Sequence, residues 1–311
     1  MKPFSVIIPV YNRPGEVDEL LASLAEQTFR DFEVIIVEDG STVPCRDVTE
    51  KWRTQGLDVT YISKENEGRS IARNTGIEAS HGNYLIFFDS DCVIPPRYFE
   101  ILDRELKKKP LDCFGGPDAA HDSFSDTQKA INYSMTSFLT TGGIRGGKIS
   151  LEKFVPRTFN TGFTRAVYDK VGGFREMFSE DIDMSTRIRQ AGFTVGLIHS
   201  AFVYHKRRVN FKKFLRQVYV FGMSRITLKL LYPGSLKIVH ALPALFVLGT
   251  VALILLGIFV SPWWLLPLGI YILAIFLAAG ISTRSLKIAL LAVPASLIQL
   301  WGYGCGFIKA F

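Results

Sequence analysis

The run Tyr84-Leu85-Ile86-Phe87-Phe88, followed at once by Asp89-Ser90-Asp91, constrains this chain more than any other stretch. Five consecutive apolar residues, three of them aromatic, fit a strand buried on both faces, as in a parallel sheet. Two carboxylates one residue apart then stand where that strand ends, and open α/β sheets bind ligands outside the carboxyl ends of their strands. Carboxylates so crowded repel one another unless a cation lies between them. Mg²⁺ or Mn²⁺ shared with diphosphate oxygens satisfies that requirement. In isolation the same residues are ordinary turn and helix-cap chemistry, with Pro95-Pro96 just downstream.

The surrounding hundred residues supply a fold. Residues 4–10 read as a strand, 16–27 as an amphipathic helix, 32–37 as a strand, 48–55 as a helix, 59–62 as a strand, 70–79 as a helix and 84–88 as a strand. This alternation predicts an α/β fold with a doubly wound, mostly parallel sheet. Between Gly115 and Pro156 the pattern gives way to polar and glycine-rich sequence, including Gly142-Gly143-Ile144-Arg145-Gly146-Gly147. Such a stretch reads either as a lid over a site or as a surface insertion.

Charge divides the chain. All 29 acidic residues lie at or before Asp183, so residues 1–183 carry −7 and residues 184–311 carry +14, within an overall +7. The basic half continues into long apolar runs, which favours anionic lipid over nucleic acid as its partner. Nine Lys or Arg and no acid occur in 206–237. There Phe211, Phe214, Leu215, Val218 and Phe221 recur at helical spacing while Lys212, Lys213 and Arg216 fall on another face. That pattern fits a basic amphipathic helix in a membrane interface, or an ordinary surface helix.

Residues 240–260 carry no charge with His240 neutral, and their length spans roughly 31 Å, enough for a bilayer core. Ser261-Pro262 breaks the run, residues 263–281 form a second span, and 288–308 a third that ends near Trp301 and Tyr303. The third contains Pro294, Gln299 and three glycines, and reads as a span or as a re-entrant segment. Arg284 and Lys287 in the second connection place that loop, and with it the globular domain, in the cytoplasm. The expected organisation is a cytoplasmic domain over 1–205, an interface segment over 206–237 and a transmembrane region over 238–311. Ser5-Val6-Ile7-Ile8 starts a strand without the features of an export signal. Cys45, Cys92, Cys113 and Cys305 lack metal-type spacing and read as reduced thiols.

Three further signatures accompany the paired aspartates: Val6-Ile7-Ile8-Pro9-Val10-Tyr11-Asn12, Glu38-Asp39-Gly40-Ser41, and Glu180-Asp181 after Ser179. Asn66-Glu67-Gly68-Arg69-Ser70-Ile71-Ala72-Arg73-Asn74 lies between them. In order and spacing this set resembles the family 2 glycosyltransferases, inverting enzymes of GT-A fold that use nucleotide-activated sugars. The resemblance covers about residues 4–225. Gly172-Gly173-Phe174 and Asn160-Thr161-Gly162-Phe163 match the family's acceptor-side pattern.

Carried over residue by residue, the resemblance implies that Pro9 and Tyr11 line the nucleotide pocket. Asp39 would accept a hydrogen bond from the base, with Glu38 in the place of an aspartate found in many relatives. Arg69 and Arg73 would lie near the nucleotide, Asp89 near the ribose and Asp91 on the metal, Mg²⁺ or Mn²⁺. His205 sits where several relatives place a histidine at the metal or diphosphate. Asp181 would be the general base, and Asn160 and Glu180 would stand on the acceptor side. Processive polysaccharide synthases carry Gln-x-x-Arg-Trp after the base, whereas Gln217-Val218-Tyr219-Val220-Phe221 lacks the Arg-Trp, so addition of a single sugar is favoured.

These roles agree with the chemistry. Inversion needs a base opposite the leaving diphosphate, and the diphosphate leaves only if a cation and basic groups absorb its charge. Glu180-Asp181-Ile182-Asp183 is also favourable charge at a helix N-terminus. The expected function is a membrane-anchored transferase that moves one sugar from a nucleotide-diphosphate sugar to a lipid or lipid-linked glycan, polyprenyl phosphate being one such acceptor. Its expected place is the cytoplasmic face of the inner membrane. The alternative is a non-catalytic sugar-nucleotide-binding scaffold, against which Asp89, Asp91 and Asp181 are all retained. No Gly-x-Gly-x-x-Gly follows the first strand, which speaks against a dinucleotide-dependent dehydrogenase.

Overall fold

Residues 2–119, 121, 123–142, 154–206 and 210–311 are described by the computed structural model. In chain order the first elements are β1 (Phe4–Val10), α1 (Pro14–Ala25), β2 (Phe32–Asp39), α2 (Arg46–Thr54), β3 (Val59–Lys64), α3 (Arg69–Glu78) and β4 (Tyr84–Phe87). These are the alternating strands and helices expected from the apolar periodicity. Then come β5 (Cys92–Val93), α4 (Tyr98–Lys108), β6 (Cys113–Gly115), β7 (Asp118–Ala119), α5 (Asp126–Thr136), α6 (Phe138–Thr141) and β8 (Thr161–Thr164). The rest are α7 (Arg165–Val171), α8 (Glu180–Gln190), β9 (Val195–Leu197), β10 (Val203–His205), α9 (Phe211–Leu231), α10 (Ile238–Phe259), α11 (Leu266–Thr283) and α12 (Leu286–Ala310).

The chain divides into two units. The first comprises Met1–Ala119 with Phe154–His205, and the second Ala120–Lys153 with Lys206–Phe311. The single stretch 1–205 expected for the sheet domain is thus interrupted, because α5 and α6 group with the C-terminal helices. Residues 143–147 of the glycine-rich run lie outside the described residues.

In the first unit a seven-stranded sheet has the order β3-β2-β1-β4-β8-β6-β9. Its pairings are parallel except those of β8, which runs antiparallel to β4 and β6. Successive residues of β1 serve opposite faces, as a pleated strand requires. Val6 and Ile8 pack with Leu20, Leu24 and Phe99, whereas Ile7 packs with Ala72, Ile77 and Phe87. Pro9 is tolerated in this central strand because of where its ladder ends. The Phe88 N–H donates to the Ile7 carbonyl at 3.4 Å, so Ile7 and its alternate Pro9 face β4, and that pairing stops at Ile7–Phe87. The N–H that proline lacks therefore has no strand to bond. A smaller sheet, β5-β10-β7, sits just past the end of β4 and sets Cys92 directly opposite His205.

The second unit is helical. Helix α12 packs against α5, α9, α10 and α11, and half of its most apolar window is buried, against 22% for α10. Close approach depends on two glycines. A Cβ on Gly222 would fall 2.1 Å from the Tyr303 carbonyl oxygen, and one on Gly306 would fall 2.0 Å from that of Tyr219. The third apolar segment is one continuous helix, 25 residues long despite Pro294, rather than a broken re-entrant one. Three helices, Ile238–Phe259, Pro262–Thr283 and Leu286–Ala310, are long and apolar enough to cross a bilayer, and they fit a membrane segment.

Helix α9 departs from the expectation of an interface helix. Of its apolar stripe, Phe214 and Val218 are fully buried with Ile131, Met135 and Ala295, while Leu215 is exposed. Lys212, Lys213, Leu215 and Arg216 form its exposed side. Protein thus covers Phe214 and Val218 of the stripe that periodicity displays.

Candidate active site

Every side chain described below belongs to the first unit. The loop after β1 carries Tyr11, half exposed, and Asn12 in the left-handed region at φ 55°. Bonds to the segment after β2 hold that conformation: Asn12 Oδ1 accepts from the Val43 N–H at 2.9 Å and the Thr42 hydroxyl at 3.0 Å, while its own N–H donates to Ser41 Oγ at 2.7 Å. Asx residues tolerate this backbone. Pro9, partly buried, opens onto the same loop.

At the end of β2, Glu38 is buried and committed to its own loop. Its carboxylate accepts from the Cys45 N–H at 2.6 Å, from the Ser41 hydroxyl and from the Tyr61 hydroxyl at 3.3 Å. Asp39 faces the other way. It accepts from the Glu67 N–H at 3.0 Å, the Gly68 N–H at 2.9 Å and Lys64 Nζ at 3.4 Å, and so fixes the turn that leads into α3.

Helix α3 then presents two arginines to one carboxylate. Arg73, 1% exposed, donates to Glu180 Oε1 and to Asp89 Oδ1, both at 2.9 Å. Arg69 donates to Glu180 Oε2 at 2.8 Å and lies over the Phe178 ring. Burying a guanidinium is costly unless it is paired and hydrogen-bonded, and the two carboxylates meet that condition. The result ties the aspartate pair at the end of β4 to the start of α8.

Asp91 is gripped on both oxygens. Arg13 donates to Oδ2 at 3.0 Å, and His205 Nε2 lies 3.2 Å from Oδ1. The His205 ring stacks on Phe159 with 4.6 Å between centroids, and its Nδ1 lies 3.8 Å from Asp118. Ligand-type atoms of Asp91, Cys92 and His205 all lie within 4.8 Å of one another. A carboxylate oxygen and an imidazole nitrogen so close are competent to share a divalent cation.

Asp181 sits in the first turn of α8, after Ser179 at φ 67°, a strained value for a residue with a side chain. Its Oδ1 accepts from the Ile182 N–H at 2.8 Å and its Oδ2 from Arg157 at 3.1 Å. Burial works to raise its pKa, but Arg157, the Ile182 N–H and the nearby charge of Arg69 prevail, and the carboxyl is held below its ordinary value. Asp181 also lines a cleft with Pro156, Thr158, Phe174, Met184 and Ile188.

Two residues expected on the acceptor side are occupied elsewhere. Asn160 is fully buried: its Oδ1 accepts from the Tyr98 hydroxyl at 2.6 Å, and its amide donates to the Ala201 carbonyl at 2.8 Å and the Pro117 carbonyl at 3.3 Å. These bonds tie the start of β8 to α4 and to the segments just before β7 and β10. Glu180 is the anchor of Arg69 and Arg73, buried to 2% exposure. Conversely, Arg13, Arg157, Asp118 and Cys92 were not singled out by sequence. Each lies far along the chain from at least one partner, and no local pattern marks it. Arg207 and Arg208, the basic residues that follow His205 and Lys206, lie outside the described residues.

Residues 5–172 match the family model described as Glycosyl transferase family 2. Among curated proteins, the chain is 36% identical over 112 residues to Glycosyltransferase GlyA of Streptococcus pneumoniae, a match taking in 36% of this chain and 16% of that protein. It is 28% identical over 265 residues to Glycosyltransferase AglE of Haloferax volcanii, covering 79% and 81% of the two chains. It thus spans about a sixth of the first relative and four fifths of the second. Among solved structures, the mannosyltransferase PcManGT from Pyrobaculum calidifontis, in complex with GDP-Man and Mn²⁺, superposes with a TM-score of 0.59. That similarity covers 99% of this chain and 85% of the other at 19% identity, and establishes a shared fold.

Proposed function

This chain belongs to glycosyl transferase family 2, and from that premise we propose that it is a membrane-anchored, inverting transferase. It moves one sugar from a nucleotide-diphosphate sugar to a lipid or lipid-linked glycan at the cytoplasmic face of the inner membrane. The observation that carries this reading is the pair of hydrogen bonds that Arg73 donates, one to Asp89 and one to Glu180. It sets the neighbours Asp91 and Asp181 on one rigid frame, so that a diphosphate and an acceptor are held against each other rather than bound independently.

Each residue then has a task. Asp39 and the N–H groups it orders shape the floor of the nucleotide pocket, with Pro9 and Tyr11 at its rim. Arg69 offers an exposed positive charge toward the diphosphate. Asp91 and His205 would hold Mg²⁺ or Mn²⁺, whose contribution is to neutralise charge as the diphosphate leaves. The Mn²⁺ present with GDP-Man in PcManGT supports a divalent cation. Asp181, ionised and fixed by Arg157, takes the acceptor hydroxyl proton as the new bond forms on the face opposite the diphosphate.

Membrane anchoring is supported by the three apolar helices, whose large side chains are widely exposed, among them Leu245, Leu248, Ile258 and Phe259. Apolar surface of that extent belongs in lipid. The exposed Lys212, Lys213 and Arg216 of α9 suit anionic headgroups. Arg284 and Lys287 orient the second connection toward the cytoplasm.

The test is a screen of nucleotide-sugar turnover by membranes carrying the protein, with Mn²⁺ and with chelator. We expect one nucleotide sugar to be consumed, with its sugar appearing in lipid-extractable material as a single added unit. Consumption of none, with the folded protein present, would favour a binding scaffold instead.

A further inference from the structure

We infer that Cys92 makes the Asp91–His205 centre thiophilic, so that it takes Zn²⁺ or Co²⁺ through sulfur and is inhibited rather than activated by Zn²⁺. The inference rests on the reading of Asp91 and His205 as a metal centre given above. Cys92 follows Asp91 directly and pairs with His205 across β5 and β10. Residues directly opposite on antiparallel strands project to the same face, so the thiol and the imidazole share a side. Phe159 fixes both: its ring stacks on His205 and its carbonyl accepts from Cys92 Sγ at 3.5 Å. Among the described residues, this is the group of histidine, cysteine and acidic side chains whose donor atoms converge, all within 4.8 Å.

One oxygen, one nitrogen and one sulfur form a ligand set suited to Zn²⁺ in tetrahedral geometry. Mg²⁺ and Mn²⁺ favour oxygen donors in octahedral geometry and gain little from sulfur. As the sulfur–zinc bond forms, the thiol releases its proton to solvent. Asp91 and the Cys92 thiolate together then neutralise the charge of Zn²⁺, and three protein ligands leave one tetrahedral position. A harder six-coordinate ion held by Asp91 and His205 keeps net positive charge and several open positions for a diphosphate. Zn²⁺ is therefore expected to displace the working ion and weaken nucleotide-diphosphate binding. Cys113, equally buried but with its thiol near the Phe114 carbonyl at 4.0 Å, has no such surroundings and serves as control.

The experiment titrates the full chain in detergent with Co²⁺ alone and reads the sulfur-to-cobalt charge-transfer absorption. Mn²⁺ binding is followed in parallel by electron paramagnetic resonance. We expect the band in the wild type, its retention in a variant with Cys45, Cys113 and Cys305 all changed to Ser, and its loss in Cys92→Ser. Zn²⁺ should displace Mn²⁺ from the wild type at a concentration at least about tenfold lower than from Cys92→Ser, since even an indirect partner of a metal ligand is worth 10–100-fold in affinity. Cobalt bound without the band, or a band that survives Cys92→Ser, would overturn the inference alone, provided that Asp91→Ala still abolishes Mn²⁺ binding. Failure to bind either ion would overturn both the inference and the metal centre. The variant that retains only Cys92 decides the matter without altering that residue.

Discussion

Arg157 donates to Asp181 at 3.1 Å, while the other oxygen of Asp181 is held by the adjacent Ile182 N–H at 2.8 Å. The candidate base is thereby oriented at both ends and kept ionised despite its burial. A carboxyl whose pKa is lowered in the folded protein is charged above its ordinary range, and loses that charge and the stability it brings only as pH falls through the lowered value. The acid limb of turnover should accordingly lie below the usual carboxylate range. In Arg157→Gln the limb should move to higher pH, because desolvation then acts with less opposition. A pH profile of kcat checks this, and an unmoved limb would detach Arg157 from the role of positioning Asp181.

Glu180 and Arg73 form a pair almost entirely removed from water, their side chains 3% and 1% exposed. Removing the Glu180 charge leaves the buried Arg73 with Asp89 as its remaining carboxylate, and breaking a buried pair costs up to about 3–5 kcal/mol. Glu180→Gln should therefore lower unfolding stability by a large step. Arg69→Gln should cost less than about 1 kcal/mol, since the Arg69 side chain is 53% exposed and screened by solvent. Denaturant unfolding of the detergent-solubilised protein separates the two, and equal losses would contradict the contrast.

Asp91 and His205 lie 3.2 Å apart, with Arg13 and Asp118 as their other charged neighbours. Asp91→Ala should abolish most Mn²⁺-dependent affinity for a nucleoside diphosphate, and His205→Ala should weaken it by about tenfold or more. Calorimetry with and without chelator measures this. Nucleotide affinity unchanged by chelator would show that the pair serves Arg13 and Asp118 alone.

Gly306 lets α12 lie against the backbone of α9 at Tyr219. Gly306→Val places side-chain carbons where there is no space, and should destabilise the helical unit by about 1–3 kcal/mol. Thermal unfolding in detergent is the readout. A neutral result would mean that the two helices separate without cost.

Much of this architecture is visible in the chain itself. The strands at 4–10 and 84–88 are continuous apolar runs because both faces of the sheet are covered, and a run of that kind has few other homes. Asp89 and Asp91 stand out because they follow such a run. What local sequence cannot display is the partner a residue finds far away. Asn160 and Glu180 lie inside family motifs, yet their bonds go to Tyr98, Ala201, Arg69 and Arg73, which makes them parts of the frame. Arg13 and Arg157 show the reverse, ordinary in their own neighbourhoods and decisive only across 78 and 24 residues of chain. The stripe of α9 was legible, but periodicity states that a face is covered and not by what. Its cover is α5 and α12, and the close approach of α12 rests on Gly222 and Gly306, which no apolar periodicity displays.

The most direct measurement is sugar transfer by Asp181→Asn, compared with the wild type at saturating donor and in parallel with donor affinity. An amide cannot accept the acceptor proton, so we expect kcat to fall by about 10²–10⁴-fold, the usual loss on removing a general base. The dissociation constant for the nucleotide sugar should stay within a few-fold of the wild-type value, because the bonds of Asp181 go to Arg157 and the Ile182 N–H and to none of the residues proposed to hold the nucleotide. Turnover near that of the wild type would contradict Asp181 as the base, and would return it to service as an N-terminal charge on α8.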